Sequence, residues 1–393
     1  MTSKDKPPKT ETILAHKGRP QEGPVNRPVQ RGSTVAFRSL AAFKAEVGNP
    51  DLREATRYGR VGNPNSHDFE SVMADLEGGY GAVTASSGLA IIACTLMAFA
   101  APGAHFLVTD SVYGPVRRFC EKRLRPLGVE IEYYDPLAGG FIEKHFQDNT
   151  KVVYMESPGS KTFEIQDVPA IARAAKKRGI VSMVDNTWAT PVFFRPLSHG
   201  ADISLHAATK YIGGHSDIFL GVAVCTDENT YRTLKTCAIE SGQCASPDDL
   251  YLALRGLRTL EPRLRRHQEN ARAVIGWLQK RPEVERIIYP ALSDCPGHDL
   301  WKRDFTGATG LFSMILKTSS KDEVRRFIDG LEYFPLGYSW GGYESLLVPL
   351  ELDGERTVSP FKVAGSGLRL HIGLENPDDL IADLEAGFKR MKA

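Results

Sequence analysis

The sequence predicts an α/β protein, with a large, mostly parallel sheet covered by helices and a smaller α+β domain behind it. Two observations carry that prediction. From about residue 61, short β-branched runs alternate with helix-like stretches, the order that parallel strands with crossover helices require. After residue 247 the alternation gives way to long amphipathic helices and isolated strands. The chain accordingly divides into an extended arm (1–60), an α/β domain (61–256) and a C-terminal α+β domain (257–393).

In chain order, residues 1–60 are rich in Pro, Gly and polar side chains and read as the arm, expected to reach a neighbouring subunit. Strands are expected at HFLVTD (105–110), VEIEYYD (129–135), KVVYMES (151–157), GIVSMVDNT (179–187), ADISLHA (201–207) and GVAVCT (221–226). Helical stretches such as VPAIARAAKKRG separate most of them. LAIIACTLMAFAA (89–101) stops at Pro102-Gly103, short of the about 20 residues a membrane span needs, and reads as a buried helix. Beyond 247, Leu250, Leu254, Leu257 and Leu264 share one helical face, and Pro262 is expected to break or kink that helix. GLFSMILK, a helix at 321–330, the strand-like GLRLHIGL and a last helix from Pro377 complete the order.

Composition excludes several classes. Lysine plus arginine (49) balance aspartate plus glutamate (48), a net charge of +1, without the basic excess of a nucleic-acid or membrane-surface binder. The six cysteines are scattered with no C-x-x-C pair, as free thiols of a reducing compartment would be. The ten histidines show no ligand spacing, so no metal site is expected. The first twenty residues lack an apolar core, which argues against a secretory leader and for a cytoplasmic protein. No G-x-G-x-x-G opens a helix after a strand, which disfavours a nicotinamide enzyme.

Ligands of open α/β sheets bind at the carboxyl ends of the strands. VSMVDNT ends near Asp185, and ADISLHAATK ends in Lys210. TASSGLAI starts the buried helix, and its free N–H groups at Gly88 and Leu89 suit a phosphate. Tyr113 follows HFLVTDSVYG on another strand-end loop. Each has a bland alternative: a snorkelling lysine, a capping aspartate, a commonplace helix start, a packed tyrosine. Together they supply an anion cradle, an aromatic face, a carboxylate and an amine. Pyridoxal phosphate uses all four, through its phosphate, its ring, its pyridine nitrogen and its aldehyde.

DISLHAATKYIGGHSD (202–217) closely resembles the pyridoxal-lysine signature of the Cys/Met-metabolism transsulfuration enzymes. Further matches follow in the family's order: YGRVGNPN (58–65), SSGLA (86–90), YMESPGS (154–160), VDNTWATP (184–191), RGLRTL (255–260), KRDFTGATGLFS (302–313), YSWGGYESL (338–346) and LRLHIGLEN (368–376). The resemblance implies the pyridoxal-phosphate-dependent transferase-like fold (fold type I). It also implies a homo-oligomer built as a dimer of dimers, and an amino-acid substrate.

Residue by residue, the resemblance implies that Lys210 joins the cofactor aldehyde and shuttles the proton. Asp185 pairs with the pyridine nitrogen, and Tyr113 stacks on the ring and assists deprotonation of the incoming amine. Thr209, Gly88 and Leu89 hold the phosphate, with Tyr58 and Arg60 from a neighbouring subunit. Arg369 takes the substrate α-carboxylate, and Ser339 and Trp340 line the substrate side. Trp340, Trp188 and the absence of an asparagine after Ser157-Pro158 favour the β-eliminating branch, which would cleave cystathionine to homocysteine, pyruvate and ammonia. The Asn-Pro pair of YGRVGNPN looks γ-like instead. Ala207 stands where many relatives carry a phosphate-binding serine, so that donor is absent. The alternatives are a γ-acting relative (a γ-lyase, a γ-synthase or a methionine γ-lyase), a broader cystine or cysteine β-lyase, and a non-catalytic protein on the same scaffold.

Overall fold

The computed structural model describes residues 8–351 and 356–392. The first seven residues, where part of the expected arm and of the segment read for a leader falls, lie outside the described residues. Seven strands form the larger sheet: β1 (Gly81–Ala85), β2 (His105–Thr109), β3 (Glu130–Tyr134), β4 (Thr150–Glu156), β5 (Val181–Asp185), β6 (Ile203–Ala207) and β7 (Gly221–Cys225). Their spatial order is β1-β7-β6-β5-β4-β2-β3. The pairings among β2–β6 are parallel, whereas β7 runs antiparallel to both β6 and β1. Six of these strands coincide with the expected runs. β1 does not: GAVTA is short, has small side chains and leads straight into the helix Gly88–Ala98, so its pattern is swallowed by its neighbours.

Both faces of the sheet are covered, and the alternation of side chains shows it. Phe106, Val108, Val152, Tyr154 and Met183 enter one core, while Leu107, Val153, Met155 and Val184 enter the other. Each such side chain contributes about 1.5–3 kcal/mol on burial, which fixes the register of the parallel strands. The 88–98 helix packs in the first of these cores through Ile91, Ile92 and Leu96. Among the described residues no helix is long and apolar enough to cross a membrane.

A second, antiparallel sheet has the order β10-β11-β9-β8, from β8 (Val284–Ile288), β9 (Leu311–Leu316), β10 (Leu346–Leu350) and β11 (Gly367–His371). Its Phe312, Leu368 and Leu370 share a contiguous core with Val153 and Val184 of the first sheet. β8 and β10 were not among the expected strands. VERII is charged, and LLVPL carries Pro349, which only an edge position such as that of β10 tolerates.

The helix expected beyond 247 is two helices, Pro247–Arg258 and Leu260–Leu278, and its four leucines are all buried. The break falls at Thr259 and not at Pro262. Pro262 occupies the first turn of the second helix, where a missing N–H leaves no bond unmade.

Candidate active site

Parallel pairing places the carboxyl ends of β4, β5 and β6 side by side. Glu156, the last residue of β4, is the register partner of Asp185, the last residue of β5. β6 ends at Ala207, and Lys210 follows in a tight turn whose Gly214 N–H donates to the Lys210 carbonyl at 2.8 Å. Two carboxylates and one amine thus face a common space, without any helix or long loop being needed to bring them there.

The Lys210 ammonium is largely withdrawn from water and has no carboxylate partner among the described residues. Its Nζ donates to Ser339 Oγ at 2.6 Å and lies 5.4 Å from the centre of the Trp340 ring. Burial, and then repulsion from Arg369, bring its pKa down to about 8, against the opposing pull of Asp185. An amine that is half neutral near pH 8 is far better prepared to act as nucleophile and base than an ordinary lysine.

Asp185 is the natural counter-group. Burial pushes its carboxyl up, and two donors from Thr187, Oγ1 at 2.5 Å and the backbone N–H at 3.0 Å, pull it back towards the charged form. Glu156 is pushed well above the usual carboxylate range by burial and by Asp185. It accepts the Tyr113 backbone N–H at 2.7 Å and so fixes the loop bearing that ring. The Tyr113 phenol is itself shifted upward by burial and by Glu156.

The anion cradle lies at the start of the 88–98 helix. Ser87 Oγ accepts the Ala90 N–H and the Ser87 carbonyl accepts that of Ile91, which leaves the Gly88 and Leu89 N–H groups outside the helical bonds. Gly88 is required by space: a Cβ there would sit 2.5 Å from the Ala207 Cβ. Thr209 is committed in part elsewhere. Its hydroxyl accepts the Leu220 N–H at 3.0 Å, so only its proton is available to an anion, and that proton now faces the Leu220 carbonyl at 3.3 Å.

The second sheet supplies the opposite wall. Arg369, in the middle of β11, donates Nη2 to the Ser339 carbonyl at 3.1 Å and forms no ion pair among the described residues. Burial lowers its pKa, the signature of a guanidinium short of an anion. Ser339 has φ +95°, a strained conformation for a residue with a side chain, and it holds both Lys210 and Arg369. Gly341 (φ +87°) follows, and a Cβ there would lie 2.7 Å from the Tyr211 nitrogen. Only glycine lets this loop press so closely on the lysine-bearing turn.

Lys210, Asp185, Tyr113, Ser339, Trp340 and Arg369 are therefore assembled within one chain, with Gly88, Leu89 and Thr209 beside the end of β6. Tyr58 and Arg60 have their contacts elsewhere. Arg60 donates to the Ile239 carbonyl on the helix Glu228–Glu240, and Tyr58 is exposed. Trp188 lies in the core between the sheets, its Nε1 donating to the Leu311 carbonyl at 3.2 Å, so its identity bears on packing and not on the substrate.

Three features escaped the sequence reading: Glu156, Thr187, and a fully buried group in which Glu77 Oε1 accepts Ser204 Oγ at 2.7 Å and lies 2.7 Å from His206 Nε2. Glu156 and Thr187 were both inside quoted motifs, YMESPGS and VDNTWATP. Glu77 is distant in sequence from its partners and gave no signal.

A buried carboxylate raised in pKa for want of a cation fits a protonated pyridine nitrogen, and a cradle filled by a single Cβ fits a phosphate. A lone, partly neutralised amine between them fits an aldehyde. Such a site on such a fold defines a pyridoxal-phosphate-dependent enzyme. More narrowly, the chain belongs to the Cys/Met metabolism PLP-dependent enzyme family, whose pattern matches residues 9–389. A cystathionine beta-lyase from Escherichia coli is 43% identical to it over 98% of this chain and 99% of its own length. An L-alanine/L-glutamate racemase from Wolbachia pipientis is 38% identical over 98% of this chain and 98% of its own. Among solved structures, the cystathionine gamma synthase of Xanthomonas oryzae pv. oryzae matches with a TM-score of 0.89 at 33% identity, covering 98% of this chain and 99% of that one.

Proposed function

We propose that this enzyme cleaves a carbon–sulfur bond by α,β-elimination, converting L-cystathionine and water to homocysteine, pyruvate and ammonia, a step of methionine biosynthesis in the cytosol. The observation that carries the reading is a single poised base, Lys210, set between Asp185 and an Arg369 that forms no ion pair among the described residues. The similarity to the Escherichia coli beta-lyase, and Trp340 beside that base, support the β-acting branch.

Pyridoxal phosphate, when bound, supplies an aldehyde that condenses with amines and a ring that draws electrons from the substrate Cα. The chain's own residues do the rest. With the cofactor bound, the Gly88 and Leu89 N–H groups and the Thr209 hydroxyl would hold the phosphate, Asp185 would serve the ring nitrogen, and Tyr113 would cover the ring. Arg369 binds the substrate α-carboxylate through its planar fork, which lysine could not copy. Lys210 removes the Cα proton and returns a proton to the departing thiolate sulfur. One base can serve both atoms because its four-carbon stem swings a short way, and Ser339 Oγ marks one end of that swing. Ser339 and Trp340 line the path of the leaving group.

Removal of the Cα proton is common to elimination and racemisation, so the Wolbachia relative marks a competing outcome, reprotonation at Cα. Chromatography of the products from L-cystathionine separates the readings. Pyruvate with homocysteine is expected. 2-Oxobutyrate with cysteine would place the enzyme in the γ branch, and conversion of L-alanine to its enantiomer without pyruvate from cystathionine would place it with the racemases.

Tyr58 and Arg60 complete the phosphate site of a neighbouring subunit in this reading. Sedimentation of the active enzyme is therefore expected to give at least a dimer, with a dimer of dimers as the family's assembly. Full activity in a monomer would remove these two residues from the site.

A further inference from the structure

We propose that Thr187 is a positioning residue, which holds Asp185 as a charged, singly oriented acceptor and ties it to the strand that carries Lys210. This rests on the reading that Asp185 faces the cofactor's pyridine nitrogen.

Hydrogen-bond polarity carries the argument. Thr187 Oγ1 accepts the backbone N–H of Ala207 at 2.9 Å. Its one hydroxyl proton is then free to go to the other close neighbour, Asp185 Oδ1 at 2.5 Å. The Thr187 backbone N–H adds a second donor to that same oxygen at 3.0 Å. Asp185 Oδ1 thus receives two bonds from one residue, and a carboxyl proton placed there would clash with both donors. The second oxygen takes no bond from Thr187; it is the one that can meet the cofactor, with the Tyr154 phenol beside the carboxylate, so the carboxylate has one orientation and not two.

The same hydroxyl sets a distance. Asp185 ends β5, while Ala207 ends β6 and stands just before the Lys210 turn. Thr187 spans the two strands beyond the point where their own pairing stops, at Asp185 and Leu205. Acceptor and amine are thereby held on one rigid ladder. Thr187 also opposes the proton-sharing that the register neighbour Glu156 would otherwise invite, since two adjacent buried carboxyls cannot both ionise without help.

The test compares Thr187→Val, which keeps the shape and removes the hydroxyl, with Thr187→Ser, which keeps the hydroxyl. Asp185→Asn serves as the control for the underlying reading. Apoprotein is loaded with pyridoxal phosphate labelled with nitrogen-15 in the ring, and the nitrogen chemical shift reports ring protonation independently of turnover. Cofactor affinity is measured in parallel by fluorescence titration of the apoprotein.

Thr187→Val is expected to move the nitrogen signal towards the unprotonated form and to weaken cofactor binding about tenfold, the loss of a charge-assisted hydrogen bond. It is also expected to lower kcat about 10- to 100-fold with KM changed less than about threefold, as for an interaction that matters most in the transition state. Thr187→Ser should restore all three. A Thr187→Val enzyme with wild-type nitrogen shift and affinity would overturn the proposal while leaving Asp185 in place. An unchanged shift in Asp185→Asn would overturn the underlying reading instead. If the valine variant is not recovered folded, Thr187→Ala takes its place under the same criteria.

Discussion

Lys210→Ala is expected to abolish turnover, by at least about 10³-fold, while the protein keeps its fold. The side chain makes one hydrogen bond, to Ser339 Oγ, and carries a charge that burial and Arg369 both disfavour. Removing it therefore relieves an electrostatic strain and leaves stability level or slightly raised, the usual result when a site is built for chemistry at the expense of stability. Circular dichroism and thermal unfolding check the fold. Borohydride reduction followed by peptide mapping checks the linkage, with the adduct expected at residue 210 in the wild type and nowhere in the variant.

A pH dependence follows from the same group. In the apoprotein the folded-state pKa of about 8 lies below that of an unfolded lysine, so deprotonation occurs earlier on the folded chain. The rate of cofactor capture should rise with pH and level off above about 8, because only the neutral amine attacks an aldehyde. A midpoint near that of an exposed lysine, roughly 10.4, would mean that the amine is not held in this environment.

Much of the larger sheet was legible because its strands are buried on both faces. HFLVTD and KVVYMES carry short apolar, β-branched and aromatic centres, FLV and VVYM, between polar ends, the length and composition of a strand buried on both faces, whereas the longer apolar run 89–101 is a helix. What failed were strands whose identity depends on partners. β1 exists because β7 turns antiparallel to meet it, and β10 because an edge tolerates Pro349. Neither fact is local. The site divides in the same way. Asp185 and Lys210 were found because strand ends in α/β proteins face ligands. Glu156 and Thr187 stand at those same ends, yet their importance lies in the register of β4 against β5 and in a hydroxyl bond to β6. Ser339 could be placed only by resemblance, since its positive φ and its double contact arise from a loop folding back on a distant turn.

Asp110→Ala should be the most destabilising substitution at a charged position, by about 3–5 kcal/mol, because it orphans both a cation and several backbone donors. Asp110 directly follows β2, is almost fully buried and is reached from two directions. Arg117 donates Nη2 to its Oδ1 at 2.6 Å, and the backbone N–H groups of Thr357, Val358 and Ser359 donate to its carboxylate at 2.8–3.1 Å. Three consecutive amides of an irregular segment are thus held by one side chain from the other sheet's domain, beside the loop that carries Tyr113.

Burial by itself would raise the Asp110 pKa, but the donors of Ser359, Thr357, Val358 and Arg117 more than offset that and bring it down to about 2. The folded value lies below the unfolded value of roughly 3.9, so the bonds contribute their full stability above about pH 4 and lose it as pH falls towards 2. Urea midpoints measured between pH 6 and pH 2 should therefore fall more steeply for the wild type than for Asp110→Ala over that acid interval. Asp110→Asn, which keeps one carbonyl acceptor for the amides but no charge for Arg117, should lie between the two at neutral pH. Equal midpoints for wild type and Asp110→Ala at pH 7 would show that the 357–359 segment is held by something other than this carboxylate. Arg356, paired with Glu164 at 2.8 Å, is the group that would then have to hold it.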